Sequence, residues 1–190
     1  MGGVGAARVN WAVFLDRDGV LNRTEVRNGR PYAPTKLAEF EFLPDVHEAL
    51  HRLDAAGAIL VVATNQPDVG KGKVPHSILE AMHDRILDET PVIDIRVCYH
   101  TDRHECDCRK PKPGMLRAAA EQHQIDLSRS YMVGDRWRDV SAGVAAGCKT
   151  IFIDYQYDET GPDLPDITVT SLLEASEVIL KDHQQKAGQR

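Results

Sequence analysis

The chain has no apolar run of the length that a membrane span requires. Its first ten residues are rich in glycine and alanine and lack an apolar segment of signal-peptide length. A cytoplasmic protein with no membrane partner is the expectation. Aromatic residues make up only 6% of the 190 residues. Hydrophobic residues nevertheless reach 42% against 27% charged, which excludes wholesale disorder and allows a full core. Basic residues are outnumbered, 23 to 29, and form no stripe, so nucleic acid is not an expected partner. No Gly-x-x-x-x-Gly-Lys-Ser cradle for a nucleotide is present. Cysteine is scarce, four in all, yet Cys98, Cys106 and Cys108 lie close together. In a reducing compartment such a cluster reads as metal ligands or free thiols before it reads as disulfides. Neither a repeat nor a linker breaks the chain, so a single domain over 1–190 is expected, a monomer with loose ends at 1–10 and 181–190.

What the chain does have is short apolar runs that end in polar residues. Val13, Phe14 and Leu15 close a strand expected over 11–15, and the run stops at Asp16, with Asp18 and Gly19 just beyond. Two acids at the carboxyl end of a buried strand are costly unless something binds there. Residues 59–63 form a second strand ending at Thr64-Asn65-Gln66-Pro67, after a helix signalled by Pro44-Asp45, carried by Val46, Leu50 and Leu53, and stopped at Gly57. This βαβ unit makes the two strands parallel, so Thr64 and Asp16 share one sheet edge. A helix over 75–89 with Ile78, Met82 and Ile86 on one face leads to a strand over 95–99. Strands over 131–133, 150–153 and 167–169 follow, with helices over 115–124, ending at Gly147, and over 172–180. The fold class is therefore α/β, one Rossmann-like domain around a parallel sheet.

Further chemistry sits on the connections. Residues 23–39 form a long polar loop whose Arg27, Arg30, Tyr32 and Lys36 can meet an anionic substrate. Cys98 with His100, and Cys106 with Cys108, are spaced i, i+2, so each pair points to one side of extended backbone. If the loop folds back, three thiols and an imidazole form the set of a closed structural zinc site; disulfides, free thiols or His104 in place of His100 are the alternatives. Arg109-Lys110-Pro111-Lys112-Pro113-Gly114 follows directly, a rigid segment suited to holding a cation in place. Asp135 stands after Gly134 at a strand end, and Asp139 lies one helical turn further, able to complete a Mg²⁺ site. Asp16, Thr64, Lys110 and Asp135 together supply a nucleophile, a hydroxyl, a cation and a metal-binding acid, the equipment of phosphoryl transfer.

These motifs, Asp16-x-Asp18-Gly19-Val-Leu-Asn22, Thr64-Asn65-Gln66, Arg109-Lys110-Pro111-x-Pro113-Gly114 and Gly134-Asp135-x-x-x-Asp139, resemble the haloacid dehalogenase superfamily of phosphatases. The Cys-x-His…Cys-x-Cys-Arg-Lys-Pro pattern resembles its branch of D-glycero-D-manno-heptose 1,7-bisphosphate 7-phosphatases and histidinol-phosphate phosphatases. The resemblance implies a compact domain without a large cap. It implies Asp16 as nucleophile, Asp18 as proton donor and acceptor, and Mg²⁺ on Asp16, the Asp18 backbone carbonyl and Asp135. Thr64 and Lys110 would stabilise the phosphoryl group, and Cys98, His100, Cys106 and Cys108 would hold Zn²⁺. Arg109, Asn65, Gln66 and Arg136 would contact a small phosphorylated sugar, with Arg30 and Tyr32 the contacts from the polar loop. The short loop between His100 and Cys106 is similar to the histidinol-phosphate branch. Phe40-Glu41-Phe42-Leu43-Pro44 and Lys112-Pro113-Gly114-Met115 are similar to the heptose branch, while Pro67 stands where serine is common. The implied activity is removal of the 7-phosphate of the heptose bisphosphate, with histidinol phosphate as the alternative substrate. A non-catalytic zinc-loop interaction module is the alternative outside enzymology.

Overall fold

A computed structural model describes residues 10–188. Strand β1 (Ala12–Leu15) is buried along its whole length because it lies inside the sheet and both its faces are covered. Val13 and Leu15 pack into the larger core, with Leu50 of helix α1 (Val46–Ala55), as well as Met82 and Ile86. Ala12 and Phe14 point the other way, onto Met115, Leu116 and Ala119. This alternation is what a strand buried on two faces requires.

The sheet has six parallel strands in the order β5-β4-β1-β6-β7-β8. They are β4 (Ile59–Asn65), β5 (Asp94–Cys98), β6 (Tyr131–Gly134), β7 (Lys149–Ile153) and β8 (Ile167–Val169). Leu15 is level with Val62 on one side and Val133 on the other, so Asp16, Thr64 and Asp135 leave the sheet at one edge. From β1 the chain builds outward through β4 and β5, then returns to place β6 on the opposite side. The crevice between these halves is the switch point where open α/β sheets bind ligands. The remaining helices are α2 (Pro67–Gly70), α3 (His76–Glu89), α4 (Gly114–His123), α5 (Trp137–Ala146) and α6 (Leu172–Gly188).

Three elements differ from expectation. The polar loop over 23–39 contains a hairpin, β2 (Glu25–Arg27) with β3 (Arg30–Tyr32). Asn28 and Gly29 turn it with φ of 50° and 72°, the two positive values of a tight two-residue hairpin turn, so Asn-Gly was the available signal. No helix was expected at Pro67, yet it opens the short α2, its missing N–H costing nothing at a helix start. Helix α6 continues to Gly188 instead of fraying after Leu180. Asp182 accepts hydrogen bonds from the Tyr131 hydroxyl and the Lys149 ammonium, both at 2.7 Å, and His183 stacks on Trp11 at 3.9 Å. These contacts hold a turn whose sequence is polar all round. Of the loose ends expected at 1–10 and 181–190, residues 1–9 and 189–190 lie outside the described residues.

Candidate active site

The strand ends open into a cavity of about 410 Å³. Its walls include Asp16, Asp18, Thr64, Asn65, Gln66, Arg109, Lys110, Asp135 and Arg136, and β3 contributes Arg30 and Tyr32. Arg27 and Lys36 instead pair with Glu25 and Glu39 on the hairpin and its base, and neither lines the cavity.

Lys110 organises the floor. Its ammonium is buried, 2.9 Å from Asp16 Oδ1 and 2.6 Å from Asp139 Oδ1. Burial would draw its proton off, but the two carboxylates outweigh burial and hold its pKa above the ordinary lysine range. The Asn65 amide fixes the Lys110 backbone in both directions: Nδ2 donates to the Lys110 carbonyl at 3.0 Å, and Oδ1 accepts from the Lys110 N–H at 3.1 Å. Asn65 lines the cavity, yet its amide is engaged in placing Lys110. Asp139 spends its second oxygen on the Arg136 N–H at 3.0 Å. A Cβ at Gly134 would lie 2.1 Å from the Asp139 Cβ, so only glycine lets this helix start close on the strand end. Asp139, expected as a fourth metal-facing acid, pairs with Lys110 and also keeps an oxygen within 4.8 Å of Asp16 and Asp135.

Asp135 is different. It is buried, and neither oxygen completes a hydrogen bond of good geometry, although the Tyr157 hydroxyl is close enough to favour the ionised form. The Tyr157 hydroxyl, 3.4 Å from Thr24 Oγ1, is near enough for the Asp135 charge to help burial keep its phenol protonated. Two orphaned carboxylate oxygens beside a second acid are costly without a cation. One oxygen each of Asp16, Asp135 and Asp139 lie within 4.8 Å of one another. This hard-oxygen set fits Mg²⁺. In its absence, burial and the Asp139 charge, opposed by Lys110, push Asp16 up to about 6. Burial and Asp16 push Asp135 well up too. Asp16 therefore holds a proton, between about pH 4 and pH 6, that the unfolded chain has lost, and Asp135 is shifted in the same direction. Between about pH 4 and pH 6, Asp16 favours the fold more as pH falls and less as it rises. A divalent cation needs both acids ionised. The melting temperature without metal should hold up as pH drops through this window, and Mg²⁺ should raise it more at pH 7.5 than at pH 5. Equal shifts at the two pH values would place the ion elsewhere.

Asp18 stands at the cavity wall with both oxygens engaged. Arg17 donates Nε at 3.1 Å and Nη2 at 2.7 Å to Oδ1 and Nη2 at 2.9 Å to Oδ2, Asn22 donates at 3.0 Å and Gln66 at 2.7 Å. Arg17 is fully buried, a cost met by this fork and by His83, whose Nε2 lies 3.4 Å from Nη1. Burial and Arg17 together lower the His83 pKa to about 4, so the ring is neutral and accepts from Arg17. Gln66 also donates to Thr64 Oγ1 at 3.0 Å, linking the strand-end hydroxyl to Asp18. The sequence reading missed Arg17, although it sits inside the Asp-x-Asp motif. It also missed Glu159, which takes Arg136 in a two-pronged ion pair at 2.7–3.0 Å. Glu159 and Tyr157 come from an irregular segment with no periodicity to announce them.

The four expected zinc ligands converge. Cys108 Sγ lies 3.3 Å from Cys98 Sγ and from His100 Nδ1, Cys98 Sγ is 3.6 Å from His100 Nδ1 and 4.0 Å from Cys106 Sγ, and all the cysteines are free thiols. Tetrahedral bonds of about 2.3 Å to sulfur give edges of roughly 3.8 Å, close to these separations. No two of these sulfurs are at bonding distance, and His104, whose Nδ1 meets Thr101, is not among the converging ligand atoms.

A buried lysine between two acids, a hydroxyl and an unpaired carboxylate at the carboxyl edge of a parallel sheet define a phosphoryl-transfer hydrolase. Residues 107–175 match the HAD-hydrolase-like family. The chain is 40% identical over 146 residues to the D-glycero-beta-D-manno-heptose-1,7-bisphosphate 7-phosphatase of Pseudomonas putida, covering 74% of this chain and 81% of that one. It is 35% identical over 185 residues to the protein of the same name from Vibrio cholerae, covering 90% and 96%. A crystal structure of D,D-heptose 1,7-bisphosphate phosphatase from B. bronchiseptica, complexed with magnesium and phosphate, superposes with a TM-score of 0.75 at 29% identity over 90% of this chain and 99% of that one. The chain belongs to the haloacid dehalogenase-like phosphatases, within them to the heptose bisphosphate 7-phosphatase family, and is a phosphoric monoester hydrolase. No helix among the described residues is long and apolar enough to cross a membrane.

Proposed function

We propose that the protein removes the 7-phosphate of D-glycero-β-D-manno-heptose 1,7-bisphosphate through an aspartyl phosphate on Asp16. The observation that carries this reading is the Asp16–Lys110–Asp139 cluster beside the unpaired Asp135, under a hairpin bearing Arg30 and Tyr32. The names of the relatives supply the substrate and its anomer. Lys110 and the Arg17 N–H both bind Asp16 Oδ1, which leaves Oδ2 the less engaged oxygen to attack phosphorus. As the ester bond breaks, Asp18 gives a proton to the departing sugar oxygen. It then takes a proton from the water that attacks the aspartyl phosphate, which frees inorganic phosphate and restores Asp16. Lys110 and Thr64 hold the phosphoryl oxygens through both steps. Asp16, Asp135 and the Asp18 carbonyl would hold Mg²⁺, which neutralises charge on the transferring group. Cys98, His100, Cys106 and Cys108 would hold a structural Zn²⁺ that fixes the Arg109-Lys110 segment.

The test is phosphate release, with Mg²⁺, from the β and α anomers of the heptose bisphosphate beside histidinol phosphate. Preference for the β anomer is the expected result. Faster release from histidinol phosphate would transfer the assignment to that branch, and release from neither would end the heptose reading.

A further inference from the structure

Arg17 lies between the two motif acids and is fully buried. Two of its three guanidinium nitrogens are spent on Asp18, Nε at 3.1 Å and Nη2 at 2.7 and 2.9 Å. That fork joins neighbours in sequence, so by itself it would let the two side chains swing together. Nη1 is the nitrogen left over, and it reaches α3 instead, 3.9 Å from Met82 Sδ and 3.4 Å from His83 Nε2. A thioether is a weak acceptor, so the imidazole is the partner that counts. An arginine only donates, so Nε2 accepts and the ring proton sits on Nδ1. Burial and the Arg17 charge favour this neutral ring, with a pKa lowered to about 4. Leu79, Met82 and Ile86 bury one face of α3, so His83 stands on a firm support 66 residues along the chain from Arg17. It is not among the residues that line the cavity, and anything it does there passes through Arg17.

We propose that His83 is a positioning residue for proton transfer: through Arg17 it fixes the direction in which Asp18 presents its carboxyl group to the departing oxygen. This rests on the reading of Asp18 as proton donor and acceptor. Without the acceptor on α3, Nη1 is a buried donor with no strong partner, and the fork turns to find one, taking Asp18 with it. The proton passes from the Asp18 carboxyl to the ester oxygen as the P–O bond breaks, which leaves the carboxylate that later takes a proton from water. Such a transfer needs heavy atoms within about 2.6–3.2 Å, so a small turn is costly. Asn22 at 3.0 Å and Gln66 at 2.7 Å still hold Asp18, so losing His83 costs less than losing Asp18 itself. The loss is also selective. A misplaced acid hurts most where the leaving oxygen cannot depart without a proton, whereas loosened packing of α3 would slow every substrate alike.

Phenyl phosphate and p-nitrophenyl phosphate are the matched probes, similar in size, of which only the nitro compound gives an anion that leaves readily without a proton. With Mg²⁺ present, the single-turnover release of the phenol is compared in the wild type, His83→Leu, His83→Gln and Asp18→Asn. Asp18→Asn sets the scale and loses far more rate on phenyl phosphate than on p-nitrophenyl phosphate. His83→Leu loses about tenfold on phenyl phosphate and less than about twofold on the nitro ester, at unchanged KM. His83→Gln, whose amide oxygen accepts from Nη1, recovers most of the loss. Arg17→Lys keeps the buried charge without the fork and must show the same selective loss, so the test stands even where His83→Leu does not fold. Equal losses on the two esters, or none, overturn the proposal and make His83 a packing residue of α3. If Asp18→Asn itself does not tell the esters apart, the reading of Asp18 as the acid is what fails, and the role of His83 goes with it.

Discussion

Asp16→Asn lowers phosphate release at least about a thousandfold, some 4 kcal/mol of barrier, and leaves the melting temperature within a few degrees. The substitution keeps volume and shape and removes the attacking oxygen's charge. Stability survives because the charge is unwelcome in the fold: burial and Asp139 together outweigh Lys110 and lift Asp16 to about 6. Lys110 keeps Asp139 at 2.6 Å, so it is not left as a lone buried charge, and Asp135 loses a like-charged neighbour. Without Mg²⁺ at neutral pH the variant should melt slightly higher than the wild type. Rapid quenching with radiolabelled phosphate ester should trap a labelled enzyme in the wild type and none in the variant. More than a hundredth of wild-type turnover would put the nucleophile at another residue.

The parts of this site legible in the sequence are those set by short-range rules. Asp16, Thr64 and Asp135 each follow an apolar run, and parallel βαβ connections bring such ends to one edge. The convergence of Cys98, His100, Cys106 and Cys108 is legible because i, i+2 spacing on extended backbone sets their direction locally. What stayed hidden is pairing between distant segments. Arg136 meets Glu159 across 23 residues, and Arg138 meets Asp102 across 36. No periodicity relates such residues, and each position taken alone reads as a solvated charge. Arg17 failed for the opposite reason. A charged residue inside a buried motif is costly, and only Asp18 and His83, in contact with it, make it tolerable. The role of Asp139 turned on a single distance, since either a cation or Lys110 would satisfy an acid one helical turn after Asp135. The end of α6 stayed hidden because its partners, Trp11, Tyr131 and Lys149, lie far along the chain.

Cys106→Ser, or stripping of zinc by a strong chelator, should cost both stability and turnover, through one short segment. Cys108 is bonded to Arg109, Arg109 leans on the His100 carbonyl, and Lys110 follows. A Cβ at Gly114 would lie 2.3 Å from the Asp107 carbonyl oxygen, so the cysteine-bearing loop also packs tightly on the start of α4. Structural zinc supplies about 10–16 kcal/mol in peptides that fold only around it. Here a six-stranded sheet and a larger core that contains none of the four ligands carry much of the fold, so a loss of roughly 3 kcal/mol is the scale expected, which lowers the melting temperature by about 6–12 °C in a chain of this size. The effect on turnover is separable. Asn65 still ties the Lys110 backbone to β4, so the lysine is not released, but its segment loses the brace on the side of Arg109. A displacement of about 1 Å at such a group costs on the order of a hundredfold. Turnover below the melting transition should therefore fall about that far and return when Zn²⁺ is restored to the stripped wild type, but not to Cys106→Ser. Equal melting temperatures with and without the chelator would mean that the thiols and imidazole hold their places unaided, and the brace on Lys110 would then have to be Asn65 alone.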